Sequence, residues 1–211
     1  MSDARSLLIL YGSQSGNSED VAIQTGNAAL KHNLQPIVRA MDEISIDEIR
    51  GQTRLLICCS TWGDGEQPDN AEDLWEEANG SNIDSLKGLY FSVLALGDSS
   101  YDLFCESGKE WDNWFESKGA TRVYDRVDCD VDYEEPAQTW SDAVLVKMAA
   151  IEDVAPPAVV EVTEEIIEVD ESTLEAIDNT TMKKEVAKSQ WNAKNPYSSK
   201  LTQNFILNGK G

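Results

Sequence analysis

Three short segments of the 211-residue chain carry side chains whose types and spacing suit binding chemistry. The first is Tyr11-Gly12-Ser13-Gln14-Ser15-Gly16-Asn17-Ser18-Glu19. Hydroxyls at Ser13, Ser15 and Ser18, with the backbone amides of Gln14 to Ser18, can converge on one phosphate. A helix starting here adds the positive end of its dipole. No Gly-Lys-Ser/Thr follows, so no lysine awaits a β- or γ-phosphate and no hydroxyl is set for Mg²⁺. The pattern points away from a nucleoside triphosphatase and towards a small monophosphate. The same residues can also serve as an ordinary Ser/Asn helix cap; the strand–loop–helix setting favours the phosphate.

The second segment is Ser60-Thr61-Trp62-Gly63-Asp64-Gly65-Glu66-Gln67-Pro68-Asp69-Asn70. Its glycines let backbone approach a flat ligand, and Trp62 offers a large π-face. Gly63-Asp64-Gly65 opens a dinucleotide fingerprint only superficially, because Pro68 takes the place of the last glycine. The third segment, Leu96-Gly97-Asp98-Ser99-Ser100-Tyr101-Asp102-Leu103-Phe104-Cys105, supplies a second aromatic, Tyr101. Two aromatics on neighbouring loops can sandwich a planar ring whose phosphate tail reaches the first loop. Phe104 and Cys105 read as anchors from the following helix. Cys58 and Cys59 read as small core residues, and His32, the sole histidine, as a helix-end residue.

Positioning these segments requires alternating elements. Near-continuous apolar runs predict buried strands at Ser6–Tyr11, Gln35–Arg39, Arg54–Ser60, Leu89–Leu96 and Thr121–Tyr124. Helical patterns fall between them at Ser18–Lys31, Asn70–Glu77, Cys105–Lys118 and Glu135–Ile151. Such alternation predicts a doubly wound α/β sheet of five strands, with ligands beyond the carboxyl ends of the strands. Beyond Ile151 the character changes. Residues 153–181 are expected to form an acidic, flexible linker. The basic stretch 182–211 ends in an alternating, strand-like run from Leu201 to Gly209.

Lys and Arg number 17 against 39 for Asp and Glu, a net charge of −22. That balance repels nucleic-acid backbones and anionic lipid, and makes a basic protein the natural partner. The N-terminus lacks the length of a signal peptide, and no stretch approaches membrane-spanning length. The four cysteines form no C-x-x-C pair, and with one histidine no metal site is expected. The expected setting is the cytosol.

Across about residues 6–151 these motifs, in this order, resemble the FMN domain of the diflavin reductases, above all the flavoprotein (alpha) subunits of NADPH-dependent sulfite reductases. Ser13 to Ser18 match the family's phosphate loop. Ser60-Thr61-Trp62-Gly63 match the loop against one flavin face, with Trp62 where a tyrosine or glutamine is usual. Leu96 through Lys109 match the loop whose aromatic covers the other face. Tyr124 to Tyr133 resemble the acidic loop before the last helix. The resemblance implies a flavodoxin-like sheet of order 2-1-3-4-5 in residues 1–152. It implies FMN held by Ser13 to Ser18, Ser60 to Gly63, Gly65 and Leu96 to Cys105. Residues 182–211 then resemble the start of a truncated FAD-binding, ferredoxin-reductase-like module. In this family NADPH reduces FAD, FAD reduces FMN, and electrons pass singly to a metal centre on a partner, here first of all sulfite reductase hemoprotein. No NADPH site and no catalytic residue is read in this chain. Asp64, Glu66, Asp98 and Asp102 should disfavour added negative charge on a ring between Trp62 and Tyr101. Asp69, Asp73, Asp128, Asp130, Asp132 and Glu134 are candidates for steering a basic partner. Alternatives are a free-standing flavodoxin-type carrier, an FMN-dependent quinone or nitro reductase, and a flavin-free interaction module.

Overall fold

The computed structural model describes residues 5–81, 83 and 85–152; the expected linker and truncated module, residues 153–211, lie outside them. The described residues belong to the first of two units into which the chain divides, Met1–Val159. Four long parallel strands make the sheet: β1 (Ser6–Gly12), β2 (Gln35–Ala40), β3 (Arg54–Ser60) and β4 (Tyr90–Leu96). They lie in the order β2-β1-β3-β4, with β5 (Thr121–Arg122) beside β4. A further piece, β6 (Val127–Cys129), also pairs parallel with β4, so that both occupy the fifth position. The doubly wound sheet of order 2-1-3-4-5 is therefore present.

Alternate residues of each strand face opposite layers, as the period of two demands. Leu8, Leu10, Leu55, Ile57, Phe91 and Val93 pack with Ala71 and Leu74 of α3 (Asp69–Gly80) and Trp111 and Phe115 of α4 (Glu106–Ser117). On that side also sits α2 (Ile46–Arg50), a five-residue helix begun by a capping box between Ser45 and Glu48. Leu7, Ile9, Leu56, Cys58, Leu94 and Leu96 pack instead with Val21 and Ala22 of α1 (Asn17–Ala29) and Trp140 and Val144 of α5 (Glu134–Ala149). In β3 every residue from Arg54 to Cys59 is buried. That accounts for its unbroken apolar run, and for Cys58 and Cys59 as core residues.

The expected fifth strand, Thr121–Tyr124, corresponds to two short pieces. An ionic cluster spans the gap between them. Arg122 gives paired hydrogen bonds to Asp112 (2.8 and 3.0 Å), and Arg126 donates to the same carboxylate at 2.8 Å. Asp112 is buried on α4, and a buried carboxylate needs such partners. Both guanidinium groups meet on it across the gap in the ladder between Arg122 and Val127. His32 closes a single 3-10 turn, Leu30–His32, at the end of α1, with its backbone carbonyl accepting from Arg5.

Candidate functional site

The loops that follow β1, β3 and β4 meet at the carboxyl edge of the sheet around a cavity of about 480 Å³. A volume of this size suits a small-molecule ligand. Gln14, Ser15 and Asn17 line one end, from the first loop. Gly16 takes a left-handed φ of 91° as the residue before α1, a conformation costly for any residue with a Cβ. Four hydrogen bonds fix this loop. Ser13 N donates to Asn70 Oδ1 (2.8 Å) and Gly16 N to Ser13 Oγ (3.0 Å). Gln14 and Asp69 bond reciprocally, Gln14 Nε2 to the Asp69 carboxylate at 3.0 Å and Asp69 N to Gln14 Oε1 at 3.2 Å. Gln14 and Ser13 thus brace the loop against the start of α3. Ser18 is fully buried in the first turn of α1, and its Oγ has no partner among the described residues.

Ser60, Thr61, Trp62, Gly63 and Asp64 form the next wall. The loop folds back on itself, Trp62 N donating to Glu66 O (2.9 Å) and Glu66 N to Trp62 O (2.8 Å). Gly65 sits at φ 107°, and a Cβ there would stand 2.5 Å from Leu103, so glycine is required on two counts. Thr61 Oγ1 accepts from Ser107 N (3.1 Å), and Ser107 Oγ donates to Glu66 O (2.8 Å). The start of α4 therefore carries this loop. Trp62 is left half exposed.

Leu96, Gly97, Asp98, Tyr101, Leu103, Phe104 and Cys105 supply the opposite wall. Gly97 N donates to Cys129 O (2.9 Å) and Ser100 N to Asp98 Oδ1 (2.8 Å). Ser99 N donates to Asp130 Oδ1 (3.0 Å), and Ser99 Oγ bonds the other oxygen of that carboxylate. These donors, the Ser99 hydroxyl first, hold the Asp130 carboxyl below its ordinary range. Cys105 is buried at the base, where desolvation pushes its thiol up to about 12, so it is no nucleophile. Tyr101 is 57% exposed at the rim.

Seven of the expected contact residues stand back from the cavity wall: Ser13, Gly16, Ser18, Gly65, Ser99, Ser100 and Asp102. Ser13, Gly65, Ser99 and Ser100 shape or tie the loops, as the bonds above show. A fourth wall comes from Asp130, Val131 and Tyr133, between β6 and α5, in the segment matched to the family's acidic loop but not expected to touch the ligand. Only the acidic character of that segment signals it. Of the expected steering charges, Asp69, Asp128 and Asp130 are bonded within the fold, to Gln14, Arg126 and Ser99. Asp73, Asp132 and Glu134 are exposed. Among the described residues no cluster of three metal-ligating side chains occurs, and no helix is long and apolar enough to cross a membrane.

Residues 9–140 match the flavodoxin family. The chain is 36% identical over 211 residues to the sulfite reductase [NADPH] flavoprotein alpha-component of Bacillus subtilis (strain 168), covering 99% of this chain and 31% of that protein. It is 39% identical over 155 residues to the same component of Neisseria meningitidis serogroup C, covering 72% of this chain and 26% of that one. The chain thus spans about a third or less of the length of these curated relatives. Among solved structures, a flavodoxin of Streptococcus pneumonia TIGR4 superposes with a TM-score of 0.62 at 26% identity, over 69% of this chain and 98% of that one. A cysteine-to-alanine mutant of the flavodoxin from Pseudomonas aeruginosa gives 0.60 at 27%, over 68% and 98%.

Proposed function

Because this chain belongs to the flavodoxin family, we propose that it is the FMN-binding electron-transfer module of a sulfite reductase flavoprotein, fed by an FAD/NADPH reductase module and delivering electrons singly to a metal-centre acceptor such as sulfite reductase hemoprotein. The observation that carries the reading is the orphaned Ser18 hydroxyl, fully buried in the first turn of a helix that opens on a cavity with two half-exposed aromatics. A buried hydroxyl without a partner is costly, and the first amides of α1 have no intrahelical acceptor. A phosphate seated in the first loop answers both needs, so these residues fit FMN.

When bound, FMN supplies the one-electron redox chemistry. Everything else is done by the chain. The α1 amides and the Ser15 hydroxyl, which lines the cavity, would hold the phosphate, with the Ser18 hydroxyl reaching it from behind that wall. Trp62 and Tyr101, on opposite walls, would cover the two faces of the ring and exclude water from them. Asp64 and Asp98, both on the cavity wall, oppose added negative charge between those aromatics. The exposed rim of Trp62, Tyr101, Leu103 and Val131 leaves one edge accessible to a partner. The exposed carboxylates Asp73, Asp132 and Glu134 favour a basic one. Four free, buried thiols suit a reducing compartment such as the cytosol.

The flavoprotein relative aligns along 99% of this chain, past the end of α5, whereas the solved flavodoxins align with 68–69% of it. That difference favours a module of a larger reductase over a free-standing carrier. The test is a titration of the purified chain with FMN, followed by coulometric reduction. Quenching of flavin fluorescence at one equivalent, then two resolved one-electron steps, is the expected result. A folded protein that leaves free FMN fluorescence unchanged overturns the proposal.

A further inference from the structure

The third loop makes a tight turn of its own but is placed from outside. Between Leu96 and Cys105 its internal ties are the turn at Asp98, through Ser100 N (2.8 Å), Ser100 Oγ (2.5 Å) and Tyr101 N (3.1 Å). That turn is fixed in space from outside, by Asp130. One oxygen of the Asp130 carboxylate accepts from Ser99 N (3.0 Å) and Val131 N (2.8 Å), and the other bonds Ser99 Oγ. A carboxylate that takes three donors from two segments, one of them two residues from Tyr101, is a clamp between those segments.

The clamp has a foundation. Asp130 directly follows β6, and β6 carries Asp128, which accepts from Arg126 at 2.6 Å. Arg126 in turn donates at 2.8 Å to buried Asp112 of α4, the helix that begins where the third loop ends. A ring of connections therefore runs from the loop through Asp130 to β6, through Arg126 and Asp112 to α4, and back to the loop at Cys105. The break between β5 and β6 is what lets Arg126 close it. Asp130 and Val131 also line the cavity, so movement of the clamp alters the wall itself.

We infer that Asp130 is a positioning residue for the aromatic wall: through Ser99 it sets the placement of Tyr101 against the flat part of the ligand, without a role at the phosphate. The inference rests on the FMN reading above, and its test separates the two. Wild-type chain, D130A, D130N, S99A and the S99A/D130A double variant are titrated with FMN and with riboflavin, which lacks the phosphate. Amide hydrogen exchange is followed at Ser99 to Tyr101 in the ligand-free protein. D130A is expected to weaken FMN and riboflavin alike, about tenfold, and to speed exchange at Ser99. D130N keeps an acceptor for Ser99 N and should restore part of the loss. S99A and D130A should be non-additive, because they remove one interaction. If D130A binds both flavins as wild type does, the inference fails while the FMN reading stands. A loss confined to FMN also overturns it, since Asp130 then acts at the phosphate. If the wild-type chain binds neither flavin, the parent reading has failed, and exchange at Ser99 unchanged in D130A defeats the clamp by itself.

Discussion

The two ends of the sheet treat their buried polar groups in opposite ways. At the amino end, Arg54 begins β3 almost wholly buried and donates to Met148 O (3.1 Å) and Ile151 O (2.6 Å), closing the last turn of α5. Arg5 does the same beside it, reaching Asn33 O (2.7 Å), His32 O (3.2 Å) and Ala149 O (3.3 Å). Carbonyls at and just beyond the helix ends are met there by guanidinium donors. At the carboxyl end, the start of α1 has no such closure among the described residues. Ser18 Oγ is buried and orphaned, and Trp62 and Tyr101 stand half exposed. Two buried side-chain oxygens lack a partner among the described residues, Ser18 Oγ and Thr25 Oγ1, and Ser18 is the one in the first turn of α1, where the helix amides are also open to an external ligand.

The comparison breaks first at Arg54. Replacing it by alanine removes the guanidinium donors to Met148 O and Ile151 O and empties a buried volume, at a cost of about 3 kcal/mol. Urea unfolding should show this as a lowered midpoint. At temperatures where the variant remains folded, its Kd for FMN should stay within about twofold of wild type. A tenfold loss of flavin affinity in folded R54A would mean that the two ends are coupled and the contrast between them is false.

Ser18→Ala sharpens the same contrast with two effects of opposite sign. Removing a buried hydroxyl that has no partner stabilises the ligand-free protein by about 1 kcal/mol. Removing a phosphate donor weakens FMN about tenfold and leaves riboflavin unchanged. Thermal melts without ligand and paired flavin titrations check the two halves. A variant that is both less stable and unaltered in binding would place the hydroxyl in an internal bond and remove it from the site.

Much of this contrast is legible in the sequence, and the reason is local. The strand-to-helix turns at Ser13–Ser18, Ser60–Gly65 and Leu96–Cys105 are punctuated by glycine, hydroxyl and aromatic residues between apolar runs, so their place at the carboxyl edge follows from alternation alone. What escapes is held by distant partners. The split fifth strand is bridged at Asp112, ten residues before Arg122 and fourteen before Arg126, and nothing within Thr121–Tyr124 announces it. The Asp130 wall lies 31 residues from the Ser99 it clasps. Gln14 lines the cavity as its place in the first loop implies, and the bond of its side-chain amide to Asp69, 55 residues away, is what the sequence does not announce. The α2 helix has its signal in the Ser45-x-x-Glu48 capping box, but five residues carry too little periodicity to register as a helix.

The smallest expected effect concerns Glu110, just beneath the second loop. Its carboxylate accepts from Gln67 Nε2 (2.8 Å), while Gln67 Oε1 accepts from Trp111 Nε1 (3.0 Å). Burial raises the Glu110 carboxyl above its ordinary range, the Gln67 bond opposing and Glu106 adding to the rise. A carboxyl raised in the folded state binds its proton more tightly there than when unfolded. Its contribution is therefore most favourable below the ordinary glutamate range, declines as pH rises through the folded value, and is a constant penalty above it. Glu110→Gln keeps an acceptor for Gln67 and removes the charge. The variant should match wild type near pH 4 and exceed it at pH 7 by about 0.5 kcal/mol or less, since part of the group is in solvent. Urea midpoints across that range read the difference directly. A difference that grows as pH falls would reverse the sign, and would mean that the ionised carboxylate is the form this end of the sheet prefers. The expected sign makes Glu110 a second polar group, after Ser18, that the carboxyl end holds at a cost the amino end does not incur.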